Sequence, residues 1–173
     1  WTPDLQTRFG DDLCKVFISC GMAWNAANDA ELRLFMAKWV PGAQVPDRQV
    51  LSGVTLNRAV ERVEVKIKTK VQGKLGTGQC DGWKNIAKTS VVTSMMSVEH
   101  EAHLLRTHDM SGEPKTGDRL LELIRSDIDY TKEHFGVTTI AWCTDDGPDG
   151  KKARRLLSVV IPTIITLVCW AHQ

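Results

Sequence analysis

A chain of 173 residues with 42% hydrophobic and 25% charged side chains can bury a real core and has the composition of a globular protein, which excludes a disordered or low-complexity polymer. A net charge of +1 and a pI near 7.8 exclude a global field that draws nucleic acid, so any such surface has to be a local patch. Cys14, Cys20, Cys80, Cys143 and Cys169 are odd in number and irregular in spacing. They read as reduced, mostly buried thiols of an intracellular protein and not as a disulfide framework.

The first seventy-odd residues read as helical. Leu13, Val16, Phe17, Cys20 and Trp24 follow the spacing of one helix face,. Asp29 suits an N-cap for the next helix, whose face is Leu32, Phe35, Met36 and Trp39,. Pro41-Gly42 ends it, and a Pro46-Asp47 turn opens a longer helix with Leu56, Val60, Val63 and Ile67,. The end of that segment, Val65 to Val71, also alternates with period two; helix is the preferred reading.

Gly73, Gly76 and Gly78 then break the helical pattern, and strands are expected at 75–81, 89–98 and 102–108,. Ser111 to Pro114 reads as a turn and Thr116 as the N-cap of a helix with Leu120, Leu121, Ile124, Ile128 and Thr131 on one face, closed by Gly136,. A fourth strand is expected at 137–144, a short basic helix at 151–157 and a fifth strand at 163–170. The expected organisation is a helical N-terminal segment, 1–72, and an α/β core, 73–173, with one mixed five-stranded sheet flanked by helices. The apolar stretch from Leu156 to Trp170 contains Ser158, Pro162, Thr163 and Thr166. It is shorter than the roughly 20 residues of a spanning helix, so no membrane contact is expected. No basic-then-apolar stretch opens the sequence, so no signal segment is expected,. The chain opens on Trp1 and stops at Gln173 directly after an apolar run, which reads as a piece of a longer protein.

Three short blocks carry the chemistry. Cys80-Asp81-Gly82-Trp83 and Thr144-Asp145-Asp146-Gly147 each set an acid where a strand is expected to stop, and Cys169-Trp170-Ala171-His172 follows the last strand. In a β-β-β-α-β-α-β order the fourth strand, entered through a crossover helix, can lie beside the first, and Asp81 and Asp145 would then face each other across one site. Two ionised carboxylates held close together suit Mg²⁺ or Mn²⁺ and two-ion phosphoryl transfer. The plainer role for either is a turn residue accepting backbone hydrogen bonds. Lys151, Lys152, Arg154 and Arg155 cluster beside Asp145 and could meet phosphates,. Arg58 and Arg62 lie in a second basic run, whose plainer reading is a solvated helix face. Trp83 and Trp170 are expected to pack in the core. Structural zinc needs four ligands, usually in two pairs; Cys169 and His172 have no second pair at suitable spacing, and zinc is not expected.

Gln79-Cys80-Asp81-Gly82-Trp83-Lys84-Asn85 resembles the first catalytic block of hAT-superfamily transposases. The stretch from Thr144 to Arg155 resembles their second block, and Cys169-Trp170-Ala171-His172 their Cys-x-x-His block. The three blocks come in the family's order. The resemblance covers 73–173 and reaches weakly into the N-terminal helices, including Pro46-Asp47-Arg48. It implies a ribonuclease H-like sheet, with Asp81 and Asp145 as catalytic, metal-holding aspartates and His172 near the active site. Asp146 rivals Asp145, which is preferred because the family's acid directly follows the strand's last Thr. It further implies DNA as partner, Mg²⁺ or Mn²⁺ as cofactor, a nuclear protein, and strand cleavage and transfer by an intact parent that self-associates. The sequence departs from the family's pattern in several features, including the helical insertion, the C-terminal dimerisation segment and a zinc-finger-type DNA-binding module, none of which is seen in it. Asp149 stands where many relatives have asparagine, and the third acid, a downstream glutamate, does not occur before Gln173. A domesticated or decayed module that binds DNA or protein without catalysis is one alternative. A small metal-dependent nuclease, drawing a further acid from Asp146 or Asp149, is the other.

Overall fold

The structure, a computed structural model, describes residues 1–172, with the side chain of His172 and all of Gln173 outside the described residues. The role expected of the His172 side chain therefore falls outside them. The chain divides into two compact units, Trp1–Lys66 and Ile67–Gln173. The division falls inside a helix rather than at Gly73, because the last turn of that helix belongs to the core of the second unit.

The first unit is helical. Helix α1 (Pro3–Ser19) starts where the Thr2 hydroxyl accepts the Leu5 N–H at 3.2 Å. It stops at Gly21, whose φ of +61° breaks the helix,. Trp24 therefore leaves the expected face of α1. It reaches the same core from a short 3₁₀ turn (Trp24–Asn28) and stacks on Phe17 with ring centroids 5.9 Å apart. Leu13, Cys14, Phe17, Ala27 and Leu51 form the buried cluster. In α2 (Ala30–Trp39) Asp29 caps the Glu31 and Leu32 amides at 3.0 and 3.1 Å. Leu32 and Met36 pack on the cluster, while Phe35 and Trp39 point out at 54% and 64% exposure. A short α3 (Arg48–Val50), capped by Asp47, passes through a wide turn (Leu51–Thr55) into α4 (Leu56–Val71). The ambiguous segment 65–71 is thus helical. Ile67 and Val71, four residues apart, pack with Met96, Val98, Phe135 and Val137,.

The second unit is an α/β layer. Strands β1 (Leu75–Lys84), β2 (Ser90–Val98), β3 (Glu101–Asp109), β4 (Thr138–Thr144) and β5 (Ile165–Val168) form one mixed sheet in the order β3-β2-β1-β4-β5. The β1-β2 and β2-β3 pairs are antiparallel, and the β1-β4 and β4-β5 pairs are parallel. Helix α5 (Gly117–Tyr130), capped by Thr116 and closed after a wide turn by Gly136 at φ +69°, links β3 to β4. Helix α6 (Pro148–Val160) links β4 to β5. Both pack on one face through Cys80, Ile124, Trp142, Ala153, Leu157 and Ile164. Trp142 is fully buried, with its six-membered ring against Gly78 of β1. A Cβ at Gly78 would stand 2.1 Å from its ring, so only glycine fits there,. Burying side chains of this size contributes about 1.5–3 kcal/mol each.

Two strand ends differ from expectation. β1 does not stop at Asp81 but continues to Lys84, because β2 keeps pairing with it as far as Lys84 opposite Ser90. β5 is shorter than expected, with the chain leaving the sheet at Cys169 for a 3₁₀ turn (Trp170–His172). No helix among the described residues is long and apolar enough to cross a membrane.

Candidate functional site

The parallel ladder between β1 and β4 closes with Gln79 opposite Cys143. Two residues further along each chain stand Asp81 and Asp145. β4 stops here because the Asp-Asp-Gly-Pro run turns the chain into α6,. Asp81 is therefore not strand-terminal. It lies inside β1 at the point where β1 loses its β4 partner. Each carboxylate is oriented by local backbone. Asp81 Oδ1 accepts the Gly82 N–H at 2.8 Å, and Asp145 Oδ1 accepts the Gly147 N–H at 3.3 Å. Neither Oδ2 is engaged by a hydrogen bond among the described residues.

Both aspartates line one cavity of about 290 Å³, with Trp83, Glu113, Lys115 and Asp149 also on its wall. The first turn of α6 packs tightly against Asp145. A Cβ on Gly150 would stand 2.7 Å from both the Asp145 carbonyl and its Oδ1, so glycine is needed there. Asp149 converges on the same place. A Cβ on Gly147 would lie 3.1 Å from Asp149 Oδ1 and 3.2 Å from Asp145 Oδ1. Lys115 Nζ, from the loop after β3, approaches Asp149 Oδ2 at 3.9 Å. Asp145 is half-buried and Asp81 exposed. The oxygen donors suit a hard cation, although no group of three or more His, Cys, Asp or Glu among the described residues is gathered as a metal site.

Asp146 points elsewhere. Its carboxylate meets Arg154 at 2.8 Å and Lys151 at 3.4 Å, and it is not on the cavity wall. The Arg154 hydrogen bond holds it below the usual carboxylate range, burial opposes this, and Lys151 adds to the lowering. Cys80 is no nucleophile at neutral pH. Burial pushes its thiol up to about 12, Asp127, Asp145 and Asp81 push the same way, and a Trp142 hydrogen bond opposes them,. Cys169 is half-buried, and its N–H donates to the Thr144 carbonyl at 2.8 Å. The Cys-x-x-His block is thereby tied to the end of β4.

The basic cluster is only partly a surface. Lys151 and Arg155 are exposed, and Lys152 is half-buried in a pair with Asp118. Arg154 is 7% exposed. Its guanidinium is taken up by Thr144, Asp145 and Asp146, so it is not available to phosphate. Its place was readable: Gly150, Ala153, Arg154 and Leu157 share one helical stripe, and that stripe is the buried one,. Arg58 and Arg62 are likewise engaged, both on the buried carboxylate of Asp11. Trp83 and Trp170 are not core residues. They are 49% and 85% exposed, because Trp83 lies where β1 outruns β4 and Trp170 follows the end of β5.

Glu113 and Lys115 were not foreseen as neighbours of the acids. The signal was topological. β3 is antiparallel to β2, which is antiparallel to β1, so β3 runs in the direction of β1. The loop after β3 arrives at the same sheet edge. All five cysteines are free thiols, with Cys14 and Cys80 buried and Cys20 exposed. No protein-family model matches the chain, and no curated protein matches it either.

Proposed function

We propose that this chain carries the ribonuclease H-like core of an hAT transposase-like protein, acting on DNA with Mg²⁺ or Mn²⁺ in the nucleus. One observation carries the reading. The order β3-β2-β1-β4-β5 brings the residues just past the β1-β4 ladder, Asp81 and Asp145, onto the wall of a single cavity. With two divalent ions bound, such a pair supports attack on a phosphodiester by stabilising the attacking and leaving oxygens. Asp81 and Asp145 hold the ions, and the Gly82 and Gly147 amides orient the two carboxylates. Lys151, Lys152 and Arg155 meet the DNA backbone without reading its sequence.

A second reading is favoured by the lack of a three-ligand group among the described residues. In it the same surface binds DNA and this chain alone catalyses nothing. Fluorescence anisotropy with a short labelled duplex tests both. Three phosphate contacts at about 0.9 each predict a log–log salt slope of roughly two to three. Replacing Lys151, Lys152 and Arg155 together with Gln should flatten it. Mn²⁺ should strengthen binding, and Asp81→Asn with Asp145→Asn should abolish that gain. Salt-independent binding overturns both readings. Nicking by this chain in Mn²⁺, lost in Asp81→Asn, removes the non-catalytic one.

A further inference from the structure

Two acids stand side by side after β4, and only Asp145 faces the cavity. The neighbouring side chains give the reason. Arg154 sits on the buried stripe of α6, nine residues from Asp145. One Nη donates to the Thr144 hydroxyl at 2.5 Å, to the Thr144 carbonyl at 3.4 Å, and to the Asp145 carbonyl. The other Nη donates to Asp146 Oδ1 at 2.8 Å. The Thr144 hydroxyl in turn donates to the Asp145 carbonyl at 3.0 Å. One planar guanidinium thus grips the carbonyl before the Asp145–Asp146 peptide bond and the side chain after it.

We infer that Arg154 is a positioning residue that selects Asp145 over Asp146 as the acid of the cavity; the inference rests on the metal reading proposed above. A fixed donor fork holds the peptide between the two acids in one orientation. Asp146 is drawn outward onto the fork, and Asp145 is left to turn inward onto the Gly147 amide. A lysine keeps the charge but has a single ammonium head with no fork, so it cannot hold both oxygens in fixed geometry. The Cys169 N–H on the Thr144 carbonyl extends the same web to the segment after β5.

The test uses the full chain, wild type, Arg154→Gln and Arg154→Lys, in two arms. Without metal, NMR amide hydrogen exchange is read at Gly147 and Cys169 against the β1-β2 ladder. The inference expects exchange at Gly147 and Cys169 to accelerate by about tenfold more than in the β1-β2 ladder in both variants, the scale of one lost hydrogen bond. Unchanged exchange at Gly147, or uniform acceleration across the sheet, overturns it. Should Arg154→Gln fail to fold, Arg154→Lys carries the arm alone. In the second arm Mn²⁺ is the probe. In wild type, Asp145→Asn should weaken Mn²⁺ binding at least tenfold and Asp146→Asn less than about twofold. In the Arg154→Lys background the two should become alike, as a lost outer-shell contact of this size predicts. A persisting preference for Asp145 overturns the inference. Wild type that binds no Mn²⁺ refutes the metal reading instead and leaves the exchange arm to decide the positioning role.

Discussion

Helices α4 and α6 both carry basic runs, read in sequence as a solvated face on α4 and as a phosphate-facing cluster on α6, and both commit arginines to carboxylates of the protein itself. The arrangements are inverted. At α4 one buried carboxylate, Asp11, takes two arginines, with the Arg58 and Arg62 side chains 33% and 54% exposed around an acid that is 7% exposed. At α6 one buried arginine takes several oxygens, with the side chains of Arg154 and its acid Asp146 9% and 40% exposed. The difference teaches that the energy rests with the buried member. A group already out of water leaves an uncompensated charge or an orphaned oxygen behind when its partner goes. The exposed member is rehydrated at little cost.

The sharpest contrast is between neighbours on α6. Arg154→Met should destabilise the protein by about 2–4 kcal/mol, because the Thr144 and Asp145 oxygens lose their donors while remaining buried. Arg155→Met, one residue on and exposed, should stay within about 0.5 kcal/mol. Urea unfolding monitored by circular dichroism gives both numbers. Equal costs would break the inversion at its stronger end.

Asp11 comes next. Asp11→Asn should cost about 1–2 kcal/mol, less than a fully buried pair because both arginines are half in water. Arg58→Met alone should cost less than Asp11→Asn, since Arg62 still holds Asp11 Oδ2,. Burial pushes the Asp11 carboxyl up, but the Arg58 and Arg62 hydrogen bonds and charges outweigh it and hold it below the ordinary 3.8. A depressed folded value means the stabilisation is complete above the unfolded value and is lost as pH falls through the folded one. The gap between wild type and Asp11→Asn should therefore hold from pH 7 down to the ordinary carboxylate value of 3.8 and narrow as pH falls below it,. Urea midpoints from neutral to acid pH measure it, and a gap that closed already above 3.8, or stayed the same size throughout the acid limb, would mean that the arginine-held charge of Asp11 does not carry the effect,.

How much of this was legible follows from what sequence patterns encode. Asp29 and Thr116 were recognisable as caps because capping is local, settled within three residues,. The neighbourhood of β1 and β4 followed from the hairpin and crossover order, and with it the place of Asp81 and Asp145 on one cavity wall,. Trp83 was misread because strand length depends on a partner: β1 outruns β4 only because β2 continues beside it. Phe35 and Trp39 were misread because helical spacing marks an apolar stripe without saying how much of it is covered,. Arg58 and Arg62 were unreadable as Asp11 partners, since 47 and 51 residues separate them. Arg154 could have been found, because a charged residue on an otherwise small and apolar stripe needs buried acceptors.

The smallest effect should come from the pairs in which neither member is buried. Lys70 meets Glu101, and Lys74 meets Glu99 at 2.6 Å, with side chains 35–67% exposed throughout. The Lys70 hydrogen bond holds the Glu101 carboxyl below its ordinary value. That signals attraction but little stability, because water screens both charges and ordering two long side chains offsets the gain. Lys70→Gln and Lys74→Gln together should leave the urea midpoint unmoved at 0.15 M salt. A slight loss should appear only near 0.01 M, where the Debye length reaches about 30 Å. The same salt change should leave the Arg154→Met cost nearly constant, since its donors and acceptors are shielded from counterions. A large loss in the lysine variant at physiological salt would show that burial is not what separates strong pairs from weak ones here, and the contrast between α4 and α6 would then need another cause.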